Sequence, residues 1–112
     1  MKAIEKKLDN LWKTRVAEVY NYRCAMCGSQ NGCSAHHIIK RGHKTTKWLL
    51  KNGIFLCEPH HTLAERDPKF VQGWLDKLYG TSFYEELKRV GNEFSHSPDY
   101  ERIEDALRGE RE

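Results

Sequence analysis

Apolar residues recur at helical spacing from the start of the chain. Ile4, Leu8, Leu11, Trp12, Val16 and Val19 fall on one stripe, which predicts an amphipathic helix over about residues 3–20 packed on the core. The rhythm then breaks in "YRCAMCGSQNGCSAHHII". There Cys24-x-x-Cys27-Gly28 reads as a knuckle-type turn, and Asn31-Gly32 as a hairpin signal leading into a short strand through Ile39. "KRGHKTTKWLLKNG" reads as a basic loop with one helical turn around Trp48. "IFLC" is a short apolar strand, and "EPHHTLAER" opens a helix with Pro59 early, where helices tolerate it.

The second half is helical by its punctuation. Asp67 is placed to cap a helix that starts at Pro68, stops at Gly80 and carries the stripe Phe70, Val71, Trp74, Leu75 and Leu78. Ser82 and Glu85 form a capping-box pattern around Phe83, Tyr84, Leu87 and Val90. After Ser97-Pro98, Tyr100, Ile103 and Leu107 fit a last helix. The expected class is α+β: a small core of β-hairpin plus helix, flanked by an N-terminal helix and C-terminal helices. One domain is expected over residues 1–112, with the helix at 3–20, the core at 21–66, a helical extension at 67–91 and an acidic helix or tail at 92–112.

Composition adds a constraint. With 112 residues, 38% of them hydrophobic, and a mean hydropathy of −0.81, the core is thin, and a metal staple would relieve the shortage. No apolar run approaches the ~20 residues of a membrane span, and "MKAIEKKLDNLW" is not a secretory signal. The expectation is therefore a cytoplasmic chain with no membrane partner, whose four cysteines serve as metal ligands or free thiols rather than disulfides.

Charge is distributed unevenly behind a net +3. From Val19 to Cys57 there is no Asp or Glu, and Arg23, Lys40, Arg41, Lys44, Lys47 and Lys51 all fall in that window. From Asn92 onward seven acidic residues face three basic ones, so this tail should avoid nucleic acid and pack on the domain, contact a partner chain or fray. A charge run alone is usually a solvated face. This one also contains three of the four cysteines and both residues of the pair His36-His37, with the fourth cysteine closing it, which points it towards a polyanion.

Cys24-x-x-Cys27 and Cys57-x-x-His60 are two ligand pairs with 29 residues between them. A two-residue gap lets one tight turn offer both donors to one ion, and two such turns complete the tetrahedral set of a structural zinc. The bland alternative is reduced thiols that merely pack. Cys33 is the surplus cysteine, read as a small half-buried strand residue; ligation in place of His60 would spoil the matched pairs.

With His60 assigned to zinc, His36, His37 and His61 remain. Hydrolysis of a phosphodiester by a metal enzyme needs a base for water and a cation for the developing charge. His61 sits about 100° around a helix from His60 and can reach a second ion. On their strand His36 and His37 could divide into ligand and base, since neighbours point apart. A single histidine in such a place is more often a satisfied polar residue than a catalyst.

Together "AHHI", Asn52 in "NGIFLC" and His61 in "CEPHH" resemble the His-Asn-His (HNH) endonuclease motif of the ββα-metal superfamily, in its zinc-knuckle subgroup. The likeness spans about residues 20–90. Through Pro68, Phe70, Trp74, Gly80, Tyr84 and Leu87 it extends to small phage and prophage HNH proteins, some grouped with the NinG-type recombination nucleases. The resemblance implies a metal-dependent DNA endonuclease in phage DNA processing or recombination. His37 would be the general base and Asn52 would hold the histidine loop by hydrogen bonds. His36 and His61 would ligate one divalent cation bridging the scissile phosphate and the leaving 3′-oxygen. Many relatives have Asp where this chain has His36. An imidazole pair favours Mn²⁺, Ni²⁺, Co²⁺ or Zn²⁺, while phosphate oxygens and water can still complete a shell around Mg²⁺.

Lys40, Arg41, Lys44, Lys47 and Lys51 flank this motif as expected phosphate contacts, which would give a log–log salt slope of about −4. No base-reading helix is evident, so little sequence specificity is expected. Cutting both strands from one small site needs a dimer or two encounters; the C-terminal helices could supply a homodimer interface, and phage DNA-processing proteins are the other expected partners. The rival reading is a non-catalytic zinc-stapled module that binds nucleic acid or scaffolds a phage assembly. Such a module needs the knuckles and lysines, but not His36, His37, Asn52 and His61 together.

Overall fold

The computed structural model describes residues 2–39, 44–93 and 99–109. Helix α1 (Ala3–Val19) buries Leu8, Trp12, Val16 and Ala17, while Val19 falls off the stripe and is exposed. The same face buries two acids, Glu5 and Asp9, and buried carboxylates require partners. The Tyr100 hydroxyl donates to Glu5 Oε2 at 2.7 Å, and Trp48 Nε1 donates to Asp9 Oδ1 at 2.7 Å. α1 therefore holds both the segment after the histidine pair and the C-terminal helix.

Strands β1 (Ser34–His37) and β2 (Gly53–Leu56) pair antiparallel, with Ser34 opposite Leu56, His36 opposite Ile54 and His37 opposite Gly53. The expected strand through Ile39 stops at His37. Its continuation is drawn off by Asn52, whose main-chain carbonyl accepts from Ile38 N–H at 2.9 Å and whose Oδ1 accepts from Ile39 N–H at 2.7 Å. Asn31-Gly32 is not the hairpin turn either. Gly32, at φ 61°, bends the chain into β1, and the two strands are joined through residues 38–52.

Between the strands lie a short helix α2 (Lys44–Lys47) and a single 3-10 turn at Leu50–Asn52. All of β2 is buried, and its alternation divides two packed clusters. Phe55 faces Leu8, Trp12, Val16, Trp48 and Leu107, whereas Ile54 and Leu56 face Cys24, Ala64, Val71 and Leu75. Gly53 lies directly beneath α1: a Cβ there would collide with Val16 Cγ2 and come within 2.8 Å of Trp12 Cζ2.

Directly opposed residues of an antiparallel pair point to the same face. His36, opposite Ile54, therefore faces the second cluster, and His37, opposite Gly53, faces α1. That second cluster is covered by α3 (Glu58–Arg66) and α4 (Pro68–Tyr79). Asp67 occupies the N-cap of α4 as expected, yet its side chain makes no capping bond; its main-chain N–H instead donates to Leu63 O and closes α3. α4 buries Val71 and Leu75 and leaves Phe70 and Leu78 exposed, so its predicted stripe is only half used. α5 (Phe83–Glu93) follows, with Tyr79 and Phe83 stacked at 4.7 Å. In the acidic segment, α6 (Tyr100–Gly109) packs on α1 through buried Leu107 and a Lys7–Glu104 ion pair at 3.0 Å. No helix among the described residues is long and apolar enough to cross a membrane.

Candidate functional site

The two expected ligand pairs come together. Cys24, Cys27, Cys57 and His60 each offer a donor atom, all within 4.8 Å of one another. Cys27 Sγ lies 3.6 Å from Cys57 Sγ, and His60 Nδ1 lies 3.6 Å from Cys24 Sγ and 3.2 Å from Cys57 Sγ. Tetrahedral zinc with bonds of about 2.3 Å to sulfur and about 2.0 Å to nitrogen spaces its donors about 3.8 Å (S–S) and about 3.5 Å (S–N) apart. The donor set and its spacing fit a zinc-like ion.

Local backbone geometry makes the turn. Gly28 takes φ 78°, its N–H donates to Cys24 O at 2.9 Å, and Met26 N–H donates to Cys24 Sγ at 3.4 Å. Ala25 N–H donates to Phe55 O at 2.8 Å, tying the turn to β2. On the other side Cys57 is the N-cap of α3, with Pro59 in the first turn, so His60 and His61 emerge from one helical start. Burial opposes ionisation of the Cys24 thiol, but neighbouring main-chain N–H groups and the Cys27 thiol hold its pKa down to about 6. At Cys57 the His60 N–H favours the thiolate, yet burial and the Cys27 and Cys24 sulfurs prevail and push the pKa up. Several thiolates this close repel one another, and a dication resolves that conflict. Cys33 is half-buried just ahead of β1, its thiol donating to Ser29 O at 3.1 Å, and it is not part of this donor group.

A second donor group lies beside the first. His36, His61 and Glu65 also place ligand atoms within 4.8 Å of one another. His36 Nδ1 is 3.4 Å from His61 Nε2, which is 3.4 Å from Glu65 Oε2. Ser34 Oγ meets the other ring nitrogen of His61, Nδ1, at 2.8 Å. Burial first, and then the charge of His61, push the pKa of His36 down, with Glu65 pulling the other way. Glu65 was missed by the sequence reading. The signal was present as His61-x-x-x-Glu65, two residues one helical turn apart on the same face of α3.

These three residues and His37 line one cleft of about 1290 Å³. It runs along β1 and takes side chains from both of its faces, with Asp9, Trp12 and Lys13 of α1 on one wall and Ala64 and Glu65 of α3 on the other. His37 stacks on Trp12 with ring centroids 4.0 Å apart and planes 10° apart, and its Nε2 lies 3.0 Å from Lys47 O. A carbonyl only accepts, so the neutral ring carries its hydrogen on Nε2 and its lone pair on Nδ1. Trp12 is itself anchored, its Nε1 donating to Leu49 O at 2.8 Å.

Asn52 is fully buried and clamps both ends of the loop after β1. Besides the Ile39 N–H, it engages Ile39 O at 3.1 Å and Thr46 O at 3.0 Å through Nδ2. Its side chain thus holds the segment that carries the His37 contact rather than entering either donor group.

The basic residues fare differently. Lys47 is not a surface cation: its side chain is 9% exposed, with Nζ 3.7 Å from Asp9 Oδ1 and 4.9 Å from the Trp48 ring centroid. α1 covers it, so it is withdrawn from the set of phosphate contacts. Lys51 is exposed. Lys40, Arg41 and the side chain of Lys44 lie outside the described residues. Lys13, on the cleft wall, was not anticipated.

Comparison of the chain with protein-family models, with curated proteins and with solved structures gave no match.

Proposed function

We propose that this chain is a metal-dependent DNA endonuclease with an HNH-type ββα-metal centre. The observation that carries the reading is the convergence of His36, His61 and Glu65 in the same cleft as His37, next to a separate Cys₃His group. Two imidazoles and one carboxylate suit a first-row dication such as Mn²⁺, and the carboxylate adds the negative charge that the imidazole pair lacks. A cation held there would act as a Lewis acid on the phosphoryl group and on the leaving 3′-oxygen.

The remaining work falls to the chain itself. His37 stacks on the Trp12 face and meets the Lys47 carbonyl through Nε2, and in this reading it is the base that takes a proton from water. Asn52 keeps that carbonyl's segment in place through Thr46 O. The acid-free window from Val19 to Cys57, with exposed Lys51, and Lys13 on the cleft wall favour a phosphodiester polyanion as substrate. The likeness to small phage and prophage proteins supports branched or recombining DNA as the substrate form.

Supercoiled plasmid incubated with Mn²⁺ tests the reading. Nicking is expected with the ion and none with EDTA, and His37→Ala should abolish nicking while zinc content and DNA affinity stay near wild type. Cleavage by His37→Ala at the wild-type rate would overturn the assignment of the base. DNA binding without any metal-dependent cleavage would leave the non-catalytic zinc module in its place.

A further inference from the structure

Ser34 is not part of the HNH-like motif, yet its position in the sheet sends its side chain to the same place as that of His36. Residues two apart on a strand share a face, so both meet α3 at His61. There the contacts differ in kind. His36 and Glu65 approach His61 at Nε2, whereas Ser34 Oγ takes Nδ1 at 2.8 Å, shorter than either of the other two contacts.

We infer that Ser34 is a positioning residue that turns His61 Nε2 towards the cleft and keeps its lone pair available for a cation. A neutral imidazole has one N–H and one lone pair, so Nε2 can ligate only if Nδ1 carries the hydrogen. A hydroxyl accepts that hydrogen, and a ligating imidazole held at its far nitrogen is both oriented and made more basic. Without Ser34, the contacts of His61 would be Glu65 and His36 at Nε2, which favour the opposite tautomer, with the hydrogen on Nε2 and no lone pair for the ion. Ser34 is exposed and sits at the first position of β1, so the hydroxyl can be removed with little cost to packing.

The inference rests on the proposed ion site and is tested separately from it. The full-length protein, with zinc in the Cys₃His group, is titrated with Mn²⁺ by calorimetry as wild type, Ser34→Ala, Ser34→Thr and His36→Ala. Ser34→Ala should weaken Mn²⁺ binding by about 10-fold or more, the range seen when a ligand's outer partner is lost. Ser34→Thr keeps the hydroxyl in a residue that strands favour and should recover most of the affinity. Zinc content and melting temperature should not move in either variant. Mn²⁺ affinity in Ser34→Ala equal to wild type, or a Thr variant as weak as Ala, would overturn the role of Ser34 alone, provided His36→Ala shows the expected loss. Absence of Mn²⁺ binding by the wild type would remove the ion site and the positioning role together.

Discussion

The two donor groups meet at the start of α3, where His60 and His61 are adjacent, and they differ in almost every property that decides what an ion does there. The first adds the Cys24–Cys27 turn and Cys57 at the N-cap, the second His36 of β1 and Glu65 in the last turn of α3. The Cys₃His group has four donors and is sulfur-rich, with Cys24 and Cys57 buried, His60 half-buried and Cys27 exposed. The His36–His61–Glu65 group has nitrogen and oxygen donors, opens into a cleft and ends in a glutamate that is 67% exposed. Soft thiolates with a complete tetrahedron suit an ion that stays; a three-donor site of mixed N and O leaves positions for water and substrate. On the proposed reading one helix start thus serves a staple on one side and an exchangeable ion on the other.

The sharpest way to break this comparison is to strip the staple. Zinc removal or Cys57→Ser should unfold the domain, since binding free energies of structural zinc reach about 10 kcal/mol or more and here substitute for a thin core. Circular dichroism unchanged after chelation would mean that the Cys₃His group is not a staple. Next in size is Asn52→Ala, which strands the Ile39 and Thr46 main-chain groups and should cost roughly 3 kcal/mol in denaturant unfolding, with zinc content intact. Glu65→Gln should lower Mn²⁺ affinity by at least about tenfold, as loss of a ligand should cost no less than loss of its outer partner. The same variant should keep the wild-type melting temperature, so a parallel loss of stability would blur the two groups into one.

Smaller effects separate the cations. Lys51→Ala should make the salt slope of DNA binding shallower by about 1, while Lys47→Ala should leave that slope alone and lower stability instead. Smallest is the titration of His36. Because burial and His61 hold its pKa below the ordinary histidine range, the unfolded chain takes up a proton there before the folded one does. Stability of the metal-free cleft group should therefore fall as pH drops through that range, and an NMR titration should show His36 changing below the usual value. A His36 midpoint at or above the ordinary value would contradict the buried placement of its ring.

Much of this was legible in the sequence because spacing alone carries it. The helix over Ala3–Val19 follows from one apolar stripe, and the Cys-x-x-Cys and Cys-x-x-His pairs follow from what a tight turn can present to an ion. The helix from Pro68 to Gly80 was marked at both ends, although Asp67 supplies only the position of a cap and not its hydrogen bond. What escaped depended on contacts distant in the chain. Lys47 reads in the sequence as one of five phosphate contacts in a basic run, and only the fold brings Asp9, 38 positions earlier, against it. Its spacing from His61 does not by itself single out Glu65 as a ligand until β1 brings His36 against His61. The strand end at His37 was set by Asn52 and not by any breaker beside it. His36 and His37 were rightly expected to point apart; that one cleft collects both was not readable, because it depends on the volume that α1 and α3 leave along the strand.

Gly53 gives this arrangement an unusual lever. It is paired with His37 across the sheet and lies under the Trp12 indole that stacks on that histidine, with no space for a methyl group between strand and helix. The distance at which α1 rides over the sheet is therefore set by a missing side chain. Any residue with a Cβ at position 53 would press on Val16 and Trp12, and so on the indole that stacks against His37, disturbing the cleft from behind without replacing any of its side chains.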